Sequence, residues 1–337
     1  MAVKSGYEFH FIQLSGGVMT LHKLLIVLSL NIMISNAAYH GPIGVMGDHT
    51  HCCEHKMFSL RHMTMDMGTN RLNSSILAPQ EVNTLGYMMA PVKMSMKMEM
   101  YGFMLSDENQ ITWMLMVPDL NKEMTMRMPN GRVFDTKTSG FGDLKLSALK
   151  RVRSDDKSTS HIGLGLSFPT GSIEERGATP MNASAKLAYP MQLGSGTFDI
   201  QPSYTVIHSS NQKEFGFQAK TTVRMGRNDQ GYTLGDKWEL TGWLRNDFHE
   251  KGASFVRLLY EKWGNIEGRD WQLNPGMSPA ANPDFRGGEA LFAGVGLEWI
   301  LGKGKLGIEY LFPLEQRLDG LQMSQGDRFI IGYRASF

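Results

Sequence analysis

Two-residue alternation recurs along the chain from residue 55 to Phe337, and it leaves few folds open. In Phe215-Gly-Phe217-Gln-Ala219-Lys-Thr221-Thr-Val223-Arg224 the apolar side chains share one face, against Gln218, Lys220, Thr222 and Arg224. Leu291, Ala293, Val295, Leu297, Trp299 and Leu301 stand against Gly294, Gly296 and Glu298. Leu306, Ile308, Tyr310 and Phe312 stand against Lys305, Gly307 and Glu309. Neighbouring side chains of a strand point to opposite sides, so each segment reads as a strand with one greasy and one wet face. No long stretch carries a helical period.

The pattern gives twelve strands, near 55–67, 92–105, 111–118, 138–153, 159–168, 197–209, 214–225, 237–246, 253–263, 289–301, 305–312 and 327–337. Their connections are sorted. Every second junction is a short turn, such as Ser106-Asp-Glu-Asn-Gln110 or Gly302-Lys-Gly304. The others are long: 68–91, 119–137, 169–196, 226–236, 264–288 and 313–326. Strands that cross a bilayer are joined this way, whereas a soluble sandwich has no reason to sort its loops. The chain therefore reads as all-β, an antiparallel transmembrane β-barrel of about 12 strands with short periplasmic turns and long outer loops. An even count puts both barrel ends on the periplasmic side. The 264–288 loop, with three prolines and Trp271, is placed to fold inward over the mouth.

Composition agrees. The 337 residues include 37 Gly, and mean hydropathy is only -0.25, with no apolar run of helical membrane length. With 34 basic against 33 acidic side chains there is no basic footprint for nucleic acid. Two cysteines, adjacent at Cys52 and Cys53, exclude a disulfide scaffold.

Residues 1–38 read as a cleaved signal peptide: Lys23, an apolar run from Leu24 to Ile34, then Ser35-Asn36-Ala37-Ala38. Met19 is an alternative start. Residues 39–54 read as a periplasmic tail rich in His and Cys, and 55–337 as one barrel without a second domain. The expected address is the outer membrane. Phe329, Ile331, Tyr333, Ala335 and Phe337 form an amphipathic last strand closing on Phe. Such a strand resembles the signal read by the barrel-assembly machinery, which makes that machinery and outer-membrane lipid the expected partners.

Four segments resemble a known family: Gly44-Val-Met-Gly-Asp-His-Thr-His51, Ser139-Gly-Phe-Gly-Asp-Leu-Lys-Leu-Ser-Ala-Leu149, Leu166-Ser-Phe-Pro-Thr-Gly-Ser-Ile173 and Tyr189-Pro-Met-Gln-Leu-Gly-Ser-Gly-Thr197. They are similar to outer-membrane transport barrels associated with the meta-pathway of phenol degradation, in a Met- and His-rich branch. The resemblance runs across most of the chain after the leader. Its Gly-Phe-Gly-Asp and Pro-Thr-Gly motifs mark strand and loop junctions and carry no chemistry. It implies a transporter for a small solute, an apolar aromatic compound among the candidates. The Cys52-Cys53 pair departs from the pattern.

Three residue sets could carry function. The first is Asp48-His49-Thr50-His51-Cys52-Cys53-Glu54-His55. Imidazole and thiolate suit zinc and copper, so His49, His51, Cys52, Cys53 and His55 are candidate metal ligands; a solvated tail that chelates adventitiously is the bland reading. The second is methionine at every other position: Met63-Thr-Met65-Asp-Met67, Met94-Ser-Met96-Lys-Met98-Glu-Met100, Met114-Leu-Met116 and Met124-Thr-Met126-Arg-Met128. Thioethers favour Cu⁺ or Ag⁺, the only cofactor these residues suggest. Charge parity, however, points Met94 to Met100 at lipid, because Lys93, Lys97 and Glu99 alternate with them. It turns Met114 and Met116 inward and leaves Met124, Met126 and Met128 in an outer loop. The third is the wet face: Lys145, Lys220, Arg224, Glu239, Arg245, Arg257, Glu261, Glu298, Glu309 and Arg334. Both signs occur, which reads as a bracing network of ion pairs or as a constriction that orients a polar solute.

No enzyme is expected. There is no Gly-x-Ser-x-Gly elbow, Gly140-Phe-Gly142 and Gly294-Val-Gly296 lie in strands, and the carboxylates are scattered. The readings that remain are a small-solute channel, a soft-metal-binding outer-membrane protein, and a structural barrel without transport.

Overall fold

The computed structural model describes residues 41–51, 55–73, 75–210, 212–249 and 251–337. The signal peptide read at 1–38, and Cys52 and Cys53, lie outside them. The chain forms twelve antiparallel staves: β1 Lys56–Met67, β2 Ala90–Ser106, β3 Ile111–Arg127, β4 in two segments (Val133–Phe141 and Leu144–Ser154), β5 Ser158–Phe168, β6 Phe198–Ser210, β7 Lys213–Met225, β8 Lys237–His249, β9 Gly252–Trp263, β10 Gly288–Leu301, β11 Gly304–Leu318 and β12 Arg328–Ser336. Each stave pairs with its sequence neighbours, and β1 pairs with β12 from Met57↔Ser336 to Met65↔Arg328. The sheet is thus a closed barrel, which leaves no edge strand to manage. Among the described residues, no helix is long and apolar enough to cross a membrane.

Outward positions make an apolar band of exposed Leu164, Leu166, Phe217, Leu240, Val256, Leu258, Val295 and Leu297. Its aromatics include Phe58 and Phe103, with ring centroids 5.1 Å apart, and Phe329 of the last stave. A continuous greasy belt on the outside of a closed sheet suits a hydrocarbon solvent.

The belt stops short of the tops of β1–β4. There the outward face is a polar ladder: His62 Nδ1 lies 2.6 Å from Glu99 Oε1, Lys137 Nζ lies 2.9 Å from Glu123, and Thr125 Oγ1 donates to Asp135 at 2.6 Å. These staves run beyond the band. The sequence reading therefore placed two ends too early and one start too late. β3 continues to Arg127, β4 begins at Val133, and β11 continues to Leu318. The long loop expected at 119–137 is a hairpin with a tight turn, in which Gly131 adopts φ 86° and Gly131 N donates to Met128 O at 3.0 Å.

At the long-loop end the connections fold over the mouth. Helix α1 (Pro79–Thr84) and a small sheet joining Asn70–Leu72, Ser75–Leu77 and Leu321–Met323 cover one side. Two proline-started turns, Pro279–Ala281 and Pro283–Phe285, tuck inward as the 264–288 reading expects, while Trp271 points into solvent.

Candidate functional site: the barrel lumen

The floor of the lumen is made by residues 41–51. Pro42 O accepts from Val45 N at 2.9 Å, so the segment turns back on itself inside the barrel. Ile43 is fully buried and sits on the paired glycines Gly307 and Gly332; an added Cβ there would lie 2.8 and 2.9 Å from Ile43 atoms. Sequence reading saw these glycines only as gaps in a polar face. Polar contacts pin the segment along its length. Arg61 Nε donates to Ile43 O (2.8 Å), Gly44 N to Glu309 Oε2 (2.9 Å), Gln218 Nε2 to Met46 O (3.1 Å), and Arg334 Nη2 to Gly41 O (2.7 Å). Read as part of a tail, residues 41–51 instead lie within the barrel, at the end that carries the short turns.

The histidines come together in this floor. Asp48 Oδ1 is 2.8 Å from His49 Nδ1, and His49 Nε2 is 3.1 Å from His51 Nε2. The His51 and His55 rings lie tilted against each other, with centroids 4.5 Å apart. Thr112 Oγ1 accepts from His51 N at 2.9 Å, and Ser106 Oγ from His55 N at 2.8 Å, which fastens the cluster to β3 and β2. Burial, with His49 and His55 alongside, lowers the His51 pKa to about 2, so His51 is a neutral lone-pair donor at physiological pH.

One wall is methionine. The register places Met57, Met104 and Met114 in one inward row, directly above Ser106 and Thr112. Met116 and Met100 follow. Above them come Met63 beside Met98, Met65 beside Met96, and Met67 beside Met94 and Met124. Rows two residues apart are about 7 Å apart along a strand, so thioethers form a nearly unbroken track from the mouth to the histidines. Met94, Met100, Met124 and Met126 are buried. The lipid-facing assignment of Met94 to Met100 is therefore wrong, as is the loop assignment of Met124 and Met126. Lys93, Lys97 and Glu99 point out of the barrel because these staves stand above the apolar band; charge parity marked the wet face, and here that face is the outer one. Met114 and Met116 face inward as read.

The opposite wall is charged. Arg334 pairs with Glu298 (2.6 Å) and with Asp48 (3.2 Å) of the floor, and Arg257 pairs with Glu309 (3.2 Å). Arg245 Nη1 lies 3.8 Å from Glu298. Lys237 bridges Glu239 (3.2 Å) and Glu261 (2.8 Å), Arg328 also holds Glu261, and Arg224 holds Asp199. Lys220 faces the same space. Asp199, Lys237, Arg328 and Arg61 belong to this network, and sequence reading missed them. Their inward parity was the available signal, diluted by apolar neighbours.

The roof comes from three loops. Tyr189 and Tyr232 meet edge to face at 5.0 Å, Tyr189 Oη accepts from Asp270 N at 3.0 Å, and Lys186 pairs with Asp270 at 3.3 Å, both buried. Between roof and floor lie adjoining cavities of about 420, 210 and 610 Å³, which meet around Lys237. The largest runs along Met98, Met100 and Leu120; Gly44, Val45 and Met46 floor the smallest of the three.

The fold is similar to that of an outer-membrane channel from Pseudomonas putida F1, with TM-score 0.59 and 12% identity over 87% of this chain and 99% of that one. Weaker likenesses include the β domain of the Bordetella autotransporter BrkA (TM-score 0.42, 12% identity, 85% of this chain and 100% of that one). Another is a FadL homologue of Pseudomonas aeruginosa (TM-score 0.38, 11% identity, 84% and 90%). At such identities the likeness is one of fold. No family model matches the chain, and no curated protein matches it.

Proposed function

We propose that this chain is an outer-membrane barrel that passes a small solute through its lumen, along the methionine wall and past the folded floor. The observation that carries the reading is the joining of two features: a closed sheet with an apolar outer belt, and adjoining cavities between roof and floor. The barrel of similar fold described as an outer-membrane channel supports it. The apolar aromatic solute implied by the family resemblance finds thioethers, Trp263 and Pro190 around the 420 Å³ cavity. The test is reconstitution of the folded protein in planar bilayers and liposomes. Small, discrete conductance steps and uptake of small solutes are expected. A lumen that conducts nothing, and liposomes that admit nothing, would instead make this a structural barrel.

A second reading has its own observation. The thioether track ends at the His49–His51 pair, the donor set a soft cation prefers. Titration of the folded protein with Ag⁺, followed through methionine methyl resonances, is then expected to move Met65, Met96 and Met124. Shifts confined to the histidines, or none, would leave the methionines as plain wall.

A further inference from the structure

The charge balance of the lumen differs from that of the chain. The sequence is near neutral overall, at +1. Yet the 610 Å³ cavity is lined by Lys122, Lys145, Lys220, Arg224, Lys237 and Arg286, against only Asp143 and Glu239. Asp143 is committed elsewhere, accepting from Gly171 N at 3.0 Å and from Ser195 N and Oγ at 2.8 Å each. Arg224 is matched by Asp199, and Lys237 by Glu239 and Glu261. The Lys122 ammonium donates to the carbonyls of Pro190 and Gln192. Lys145 and Lys220 are different. Both line the cavity, and neither has a hydrogen bond or an ion pair among the described residues.

Two half-buried ammonium groups facing one cavity repel each other, and Glu239, opposite Lys220 in the register but already paired with Lys237, offsets their charge only in part. The same cavity is also lined by Met98, Met100 and Leu120, a soft apolar surface with no donor to offer. A ligand that satisfies both has an acidic group and an apolar body. Inorganic anions would leave the methionines idle, a neutral apolar molecule would leave the lysines unmatched, and a free cation would meet the basic excess head on.

We infer that the barrel selects small organic anions, the acid group held by Lys145 and Lys220 and the body laid on Met98, Met100 and Leu120. The inference rests on the channel reading and names its solute class. It uses residues from four staves: Lys145 on β4, Lys220 on β7, Met98 and Met100 on β2, and Leu120 on β3. Electrostatic focusing in a low-dielectric lumen favours entry of the matching charge, and this selectivity weakens as salt screens it.

The experiment compares benzoate with benzamide, which share a ring and differ in charge, in liposomes carrying the full mature protein. Benzoate is expected to enter severalfold faster. The double variant Lys145→Gln, Lys220→Gln should lose that preference while leaving benzamide entry unchanged, and Met100→Gln should slow benzoate more than acetate. Equal entry of the two probes, or a preference that survives the double variant, would overturn the inference and leave the channel standing. If no solute enters at all, the channel reading falls. Equilibrium dialysis of benzoate against the detergent-folded protein then decides the binding site separately, since binding lost with both lysines supports it and unchanged or absent binding refutes it. Heat-modifiable mobility on gels checks that each variant is folded.

Discussion

Deletion of residues 41–51 is expected to raise single-channel conductance severalfold and to lift the size limit for solute entry. The segment lies across the lumen at the short-turn end, and Gly44, Val45 and Met46 line a cavity from below. The barrel itself should survive. Closure depends on backbone pairing between staves, to which the segment adds no strand. Two of the charges it touches keep partners in the wall, since Glu309 retains Arg257 and Arg334 retains Glu298. A milder version seats a larger side chain in the glycine groove: Gly332→Val would collide with Ile43, now in contact distance, and should unseat the segment without removing it. Conductance in planar bilayers reads both. Unchanged conductance in both variants would mean that the route does not pass the floor.

Arg334→Ala should cost about 3–5 kcal/mol of folding free energy, the usual penalty for stripping one member from a buried ion network. Arg334 is almost fully buried, and its guanidinium serves Glu298, Asp48 and Gly41 O together. Its removal leaves two carboxylates facing a lumen that cannot hydrate them freely. Adding Glu298→Gln to the variant should restore part of the loss, because the buried Glu298 carboxylate, left with Arg245 at 3.8 Å, is then neutral. Urea unfolding of the protein in lipid vesicles measures the difference. A loss under about 1 kcal/mol, the range of an exposed pair, would show that water reaches this network. The single variant should also open the floor, so stability and conductance are expected to change together.

Strand positions were legible in the sequence where a stave separates two different surroundings. β7, β10 and β12 sit in the apolar band, so their outward and inward residues differ in kind and parity reads correctly. The tops of β1–β4 were not legible, because polar ladders such as Ser95, Glu123 and Lys137 cover their outer side while methionines cover the inner. A rule that sends charge inward inverts there. The floor was hidden for another reason. Nothing in Gly41-Pro42-Ile43-Gly44 marks a buried segment; its seat is made by Gly307, Gly332 and Glu309, more than two hundred residues away. The charged wall was read as a face but not as pairs, since pairing depends on register between staves. The sequence reading grouped Asp48 with His49, His51 and His55; in the structure these side chains stand side by side, with Asp48 Oδ1 2.8 Å from His49 Nδ1, but among the described residues no group of three or more His, Cys, Asp or Glu is arranged to hold a metal ion.

The methionine wall has one more consequence, which concerns its durability. A thioether is readily oxidised, and its sulfoxide is larger by one oxygen and strongly polar. In the folded barrel such a change would fall on the inner surface, row by row from the exposed mouth downward, with Met65, Met67 and Met96 reached before Met104 and Met114. Each conversion would exchange a greasy contact for a hydrogen-bond acceptor while the staves kept their pairing. A cell surface meeting peroxide would then carry the same barrel with a wetter bore, a chemical record of oxidant exposure written into its permeability.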